Sequence, residues 1–261
     1  MRNINVFKRH LREKRAIKII TGVNNFDLEQ IKKIAAATQA GLASALNITC
    51  DKAVYDTAKA NTKLPIFVSS IHPFKLAQAV KWGADAIEIG SYGQEEIYSA
   101  DELYEITLET MSLVEDSDVF VCVSIPAYIS MEEQIELAKK LELLGVDLIQ
   151  AEGTKNITTA TGMKALIENC QTAITNANEL SSYVSIPIMA TSGITSQTTP
   201  LAIEAGASGV GVGSAISKLD TQVEMTAAIR NIVASIAYRN SLNAEIATTK
   251  RELEMFKEIY K

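Results

Sequence analysis

Two stretches of this chain gather residue types able to hold an anion. In IPIMATSG, residues 186–193, an apolar run ends in Ser192-Gly193, and in GASGVGVGS, residues 206–214, another ends in Gly211-Val212-Gly213-Ser214. Glycine leaves backbone N–H groups uncovered, and a helix that opens at such a turn adds partial positive charge. The phosphate-binding set read from this pattern is Ser192, Gly193, Gly211, Gly213 and Ser214. The plainer reading is two tight turns that need glycine for their own geometry. A dinucleotide fingerprint is excluded, because GVGVGS lacks the third spaced glycine and follows the last strand instead of the first.

Three ionisable residues interrupt apolar strands: Lys18 in AIKII, Glu88 in AIEIG and Glu152 in IQAEG. A carboxylate in a partly dry site has its pKa raised toward neutrality and can shuttle a proton, which makes Glu88 and Glu152 the acid/base candidates. Desolvation would lower the pKa of Lys18 and suit it to Schiff-base formation or to contact with an oxyanion. Its structural alternatives are an ion pair with Glu88 or Glu152, or a head that escapes beside the basic N-terminus. The two carboxylates would be a thin donor set for Mg2+ without a further acidic or histidine ligand. No other metal site and no organic cofactor are implied. His72, before Pro73, reads as a neighbour of a helix cap more readily than as a base. His10 carries no site argument, and the Ser/His/Asp and zinc spacings are absent.

The elements that must position these groups follow from a repeat. AGLASALNI from Ala40, WGADAIEIG from Trp82, LGVDLIQAEG from Leu144 and AGASGVGVG from Ala205 share a helix end, a glycine and an apolar strand. Between them lie AIKIITG from Ala16, LPIFVSS from Leu64, DVFVCVSIP from Asp118 and IPIMATSG from Ile186. Helical periodicity fills the gaps, with Ser99/Glu102 and Ser130/Glu133 spaced as capping boxes. Continuous apolar strands alternating with amphipathic helices predict a parallel sheet covered by helices. The fold class expected is therefore α/β, a (β/α)8 TIM barrel of the phosphate-binding type; an open doubly wound sheet is the competing architecture. In a barrel the strand ends meet at one mouth, which would add Asn47, Ser69, Ser124 and Gln150 to the pocket.

Totals agree with one barrel domain over residues 1–261. Hydrophobic residues make up 47% and charged residues 21%, with no linker or low-complexity tract. No apolar run is long enough to cross a membrane. Residues 1–15 read as a basic helix closing the barrel bottom, although their arginines also imitate a transit peptide. Thr221–Tyr238 reads as the last barrel helix, and an added charged helix within 241–261 covers a barrel end or pairs subunits in a homo-oligomer. A formal net charge of −6 weighs against nucleic acid as a partner. Cys50, Cys122 and Cys170 are odd in number and without CxxC spacing, and the two on predicted strands read as small core residues in a reducing compartment.

IKIITGVNNFD from Ile17, VSSIHP from Val68, GADAIEIGSY from Gly83, IQAEGT from Ile149 and ATSGITSQTTPLAIEAGASGVGVGSAISKL from Ala190 carry a likeness over nearly the whole chain. In these motifs the sequence resembles the hypothetical chloroplast open reading frame 23 family of red-algal plastids and cyanobacteria. The resemblance implies the plastid stroma or cyanobacterial cytoplasm, and a barrel similar to indole-glycerol-phosphate synthase and thiazole synthase. Their catalytic lysines lie on middle strands, whereas here strands three to six end in Ser69, Glu88, Ser124 and Glu152, so neither reaction carries over. The expected ligand is a small phosphorylated molecule, handled by a lyase, isomerase or synthase, or bound by a non-catalytic sensor.

Overall fold

The computed structural model describes residues 4–90, 97–154 and 160–259. Arg2 and Tyr260, included in the two terminal helices read from the sequence, lie outside the described residues. After α1 (Ile4–Arg12), the chain runs β1 (Ala16–Ile20), α2 (Leu28–Ala40), β2 (Ala45–Thr49), α3 (Lys52–Asn61), β3 (Ile66–Ser70), α4 (Pro73–Trp82) and β4 (Ala86–Ile89). It continues through α5 (Ala100–Leu113), β5 (Phe120–Ile125), α6 (Met131–Leu144), β6 (Leu148–Glu152), α7 (Gly162–Leu180) and β7 (Ile188–Thr191). It ends with α8 (Thr199–Glu204), β8 (Gly209–Val212), α9 (Ser214–Ser217) and α10 (Gln222–Ile259).

The strands close in sequence order into an all-parallel barrel, β8 pairing with β1. This is the expected (β/α)8 architecture, and it excludes the open sheet. Local signals start the helices where expected. Ser99 and Ser130 each form a complete capping box with the glutamate three residues on, and Pro73 stands in the first turn of α4.

Two apolar layers follow from the period-two alternation of each strand. Ile17, Ile19, Ile48, Val68 and Ile87 face outward and join Ile31, Ile34, Ala35 and Leu76 of the helices in the outer core. Ala16, Ala45, Phe67, Ala86, Phe120, Cys122, Leu148 and Met189 face inward. The amphipathic α1 seals that inner core from below. Its Phe7 is fully buried and meets Phe67 and Phe120 edge-on, at centroid distances of 5.0 and 5.8 Å. Phe7→Leu keeps the site apolar but gives up volume and both ring contacts, so it should cost about 1–2 kcal/mol in urea unfolding while leaving ligand binding at the opposite end unchanged.

One expectation fails. The interruption anticipated between Tyr238 and Asn243 does not occur, and α10 runs through 38 residues. No glycine or proline falls within it, and Asn240, Ser241 and Asn243 are tolerated inside a helix at a few tenths of a kcal/mol each.

Candidate functional site

Because all strands are parallel, their C-terminal ends and the following turns meet at one end of the barrel. There a cavity of about 850 Å³ is walled by Thr21–Val23 after β1, Asn47 of β2, Glu88 of β4 and Gln150 and Glu152 of β6. Ser192–Thr195 after β7, Gly213–Ala215 at the start of α9, and Lys218 complete the rim. The two glycine turns that the sequence singled out thus line a common space.

The β7 turn is built under constraint. Ser192 has φ of 92° and Gly193 has φ of 69°, two consecutive residues in the left-handed region. Such a backbone costs a non-glycine residue energy and persists only where its surroundings hold it. At Gly193 a Cβ would overlap the carbonyl oxygen of Asn169 in α7, so only glycine lets this turn lie against that helix. Gly213 is different, since a Cβ there would make ordinary contacts. Gly211 lies within β8 and does not line the cavity. A Cβ at Gly211 would collide with Thr191, whose hydroxyl donates to the Gly211 carbonyl at 3.0 Å. Its requirement for glycine is strand packing.

Below the rim lies a buried polar network. Lys18 is fully buried, ion-paired to Glu88 Oε2, 3.9 Å from Cys122 Sγ and 4.8 Å from the centre of the Phe67 ring. Glu88 Oε1 accepts from Ser124 Oγ at 3.4 Å and Gln150 Nε2 at 3.3 Å. Gln150 Nε2 also reaches Ser124 Oγ at 3.0 Å, and Asn47 Nδ2 donates to Ser69 Oγ at 2.7 Å. Lys18, Ser69 and Ser124 therefore stand behind the cavity wall and act on it through Glu88, Gln150 and Asn47.

Charges within this network are uneven. Burial alone would lower Lys18, but attraction to the Cys122 sulfur and Glu88, the hydrogen bond to Glu88, and Glu152 outweigh it, leaving its pKa above the ordinary lysine value. Burial holds the Cys122 thiol well above its usual range, so at neutral pH Glu88 is the counter-ion of Lys18. This reverses the expectation that desolvation lowers the lysine, because the strand register brings a carboxylate to it. Glu152 is pushed up to about 8, first by burial and then by the nearby charge of Glu88, against the hydrogen bonds of Ser124 and Gln150 and the attraction of Lys18. Near neutral pH Glu152 mostly carries a proton.

Four residues of the cavity wall hold buried side-chain oxygens without a hydrogen-bond partner: Thr21 Oγ1, Gln150 Oε1, Glu152 Oε1 and Ser192 Oγ. Such groups cost free energy unless something satisfies them. Among the described residues no three His, Cys, Asp or Glu side chains cluster as metal ligands. With Glu88 committed to Lys18, Glu88 and Glu152 make a poor Mg2+ donor set. His72 is exposed and outside the cavity, and His10 Nδ1 lies 2.8 Å from Ser44 Oγ near the barrel bottom. Sequence reasoning missed several residues of the cavity wall, among them Thr21, Asn169 and Lys218. Thr21 and Lys218 flank strand ends and turns already singled out, whereas Asn169 sits in mid-helix without a local signal.

The family described as "Protein of unknown function (DUF561)" matches residues 1–242. A protein of Cyanophora paradoxa named "Uncharacterized protein ycf23" is 35% identical over 237 residues, covering 89% of this chain and 97% of that one. The Porphyra purpurea protein of the same name is 32% identical over 236 residues, covering 88% of each. A thiamine-phosphate synthase of Haloquadratum walsbyi is 31% identical over 152 residues, 57% of this chain and 61% of that one. Among solved structures, thiamine phosphate pyrophosphorylase from Pyrococcus furiosus superposes with a TM-score of 0.56 at 17% identity, covering 88% of this chain and 98% of that one. (S)-3-O-geranylgeranylglyceryl phosphate synthase from Thermoplasma acidophilum, in complex with substrate sn-glycerol-1-phosphate, does so at 0.59 with 16% identity, covering 88% and 98%. At these identities the structural likeness concerns the fold.

Proposed function

The chain belongs to the DUF561 family, and we propose that it is a one-domain phosphate-binding barrel enzyme that works by proton transfer on a small phosphorylated metabolite. The compartment that goes with this family is the plastid stroma or the cyanobacterial cytoplasm. The observation that carries the reading is the set of unpartnered buried oxygens on one cavity, between two glycine turns and a carboxylate pair. At the rim, the Ser192 hydroxyl, the N–H groups of Gly193, Gly213 and Ser214, and the Lys218 ammonium hold the phosphate. At the inner end Glu152 gives or takes the proton, and Glu88, paired with Lys18, holds the Gln150 amide beside it.

Calorimetric titration with inorganic phosphate and with phosphorylated metabolites tests the anchor. Ser192→Ala removes one hydrogen bond to a charged group and should weaken phosphate binding about 10-fold without lowering stability. Unchanged affinity in both Ser192→Ala and Lys218→Met would remove the anchor from these turns.

A second reading, a barrel that binds the metabolite and regulates a partner without turnover, draws on the engagement of Glu88 by Lys18. It predicts binding without chemical change, and an affinity that Glu152→Gln leaves unaltered.

A further inference from the structure

Resting on the reading of the rim as a phosphate anchor, we propose that the inner half of the cavity reads hydroxyl groups. The ligand is then a singly phosphorylated, hydroxylated aliphatic compound, a sugar or polyol monophosphate, with Gln150 Oε1 accepting from one of its hydroxyls.

The orientation of the Gln150 amide is set by its partners. Its nitrogen must face the Glu88 carboxylate, which only accepts, and it reaches Ser124 as well. That leaves Oε1 as a fixed acceptor, buried, unpartnered and on the cavity wall. A hydroxyl donor on the ligand, reaching in from the cavity, would satisfy it. Glu152 Oε1 and Thr21 Oγ1 stand in the same condition, and a hydroxyl serves each, since it donates and accepts.

Other ligand classes fit the wall less well. A second phosphate or a carboxylate at the inner end would meet the Glu88 carboxylate, and the buried ammonium of Lys18 beneath it is already paired. An aromatic or heterocyclic group would find no aromatic side chain for stacking among the described wall residues. The inner wall is rich in amide, carboxyl and hydroxyl groups, which are the complement of a hydroxylated chain.

The test is competitive calorimetry on the intact protein with four kinds of probe: inorganic phosphate, sugar and polyol monophosphates of three to six carbons, alkyl monophosphates of matched length, and phosphoglycerate. At least one sugar or polyol monophosphate should bind 10-fold or more tightly than its alkyl counterpart, and phosphoglycerate should bind more weakly than glycerol phosphate. Gln150→Met should remove most of the hydroxyl advantage and leave inorganic phosphate within twofold. The comparison of ligands on the unaltered chain decides the matter even where that variant fails to fold. Phosphate binding sensitive to Ser192→Ala, with no gain from hydroxyls or with phosphoglycerate bound as tightly, overturns the inner subsite alone. Absence of phosphate binding overturns the anchor as well.

Discussion

Lys18→Met should cost the protein about 3–5 kcal/mol of stability at pH 7, because it strips the counter-ion from a carboxylate that is 4% exposed inside the barrel. Lys18 has a pKa above the ordinary lysine value, so its contribution to stability is full below the unfolded lysine pKa of about 10.4 and fades as pH rises through the higher folded value. The double variant Lys18→Met/Glu88→Gln should recover most of the loss, since a neutral amide replaces the isolated charge. Urea unfolding of the parent and the two variants at pH 7 measures this. A deficit under 1 kcal/mol in Lys18→Met, or no recovery in the double variant, would show that the pair does not neutralise the inner wall.

Glu152→Gln should move stability the opposite way. The carboxyl has its pKa raised from 4.5 to about 8, so the folded state binds more protons than the unfolded chain between those values. Stability then falls as pH rises from about 4.5 to about 8 and levels off above, a cost of about 5 kcal/mol. The neutral amide escapes that cost. The variant should match the parent at pH 4 and exceed it by several kcal/mol at pH 9. If Glu152 transfers the proton in catalysis, turnover should drop by about 10²- to 10⁴-fold, with phosphate binding retained at the rim. Equal stability of the two proteins at pH 9 would mean that Glu152 is charged at neutral pH, and its role as proton donor would fall. A gain in stability together with a loss of turnover is the pattern expected where a group is held in an unfavourable state for function.

Much of this arrangement was readable from residue order. The glycine that ends α4, φ 97°, and the one that ends α6, φ 87°, announced the strands that follow them. Pocket residues such as Glu88, Gln150 and Glu152 were readable because polar side chains inside apolar strands must face something polar. Gly211 was misassigned because a glycine that exposes its backbone to a ligand and a glycine that admits a neighbouring strand look alike in one dimension. The ion pair of Lys18 with Glu88 was among the readings of the sequence, but the direction of the lysine's pKa was not legible there. Burial and pairing act oppositely on a lysine, and a partner 70 residues away along the chain decides which prevails. Lys218 carried no periodic signal at all.

By itself, then, the amino-acid order determined the eight strand and helix units, their parallel sense and the end of the barrel at which chemistry gathers. These depend on local periodicity, caps and turns, which act within a few residues. Tertiary structure alone decided which side chains stand on the cavity wall and which stand behind it, which carboxylate is charge-balanced and which holds a proton. Those properties depend on distance and burial, and only closure of the barrel sets β1 and β6 around Glu88 of β4.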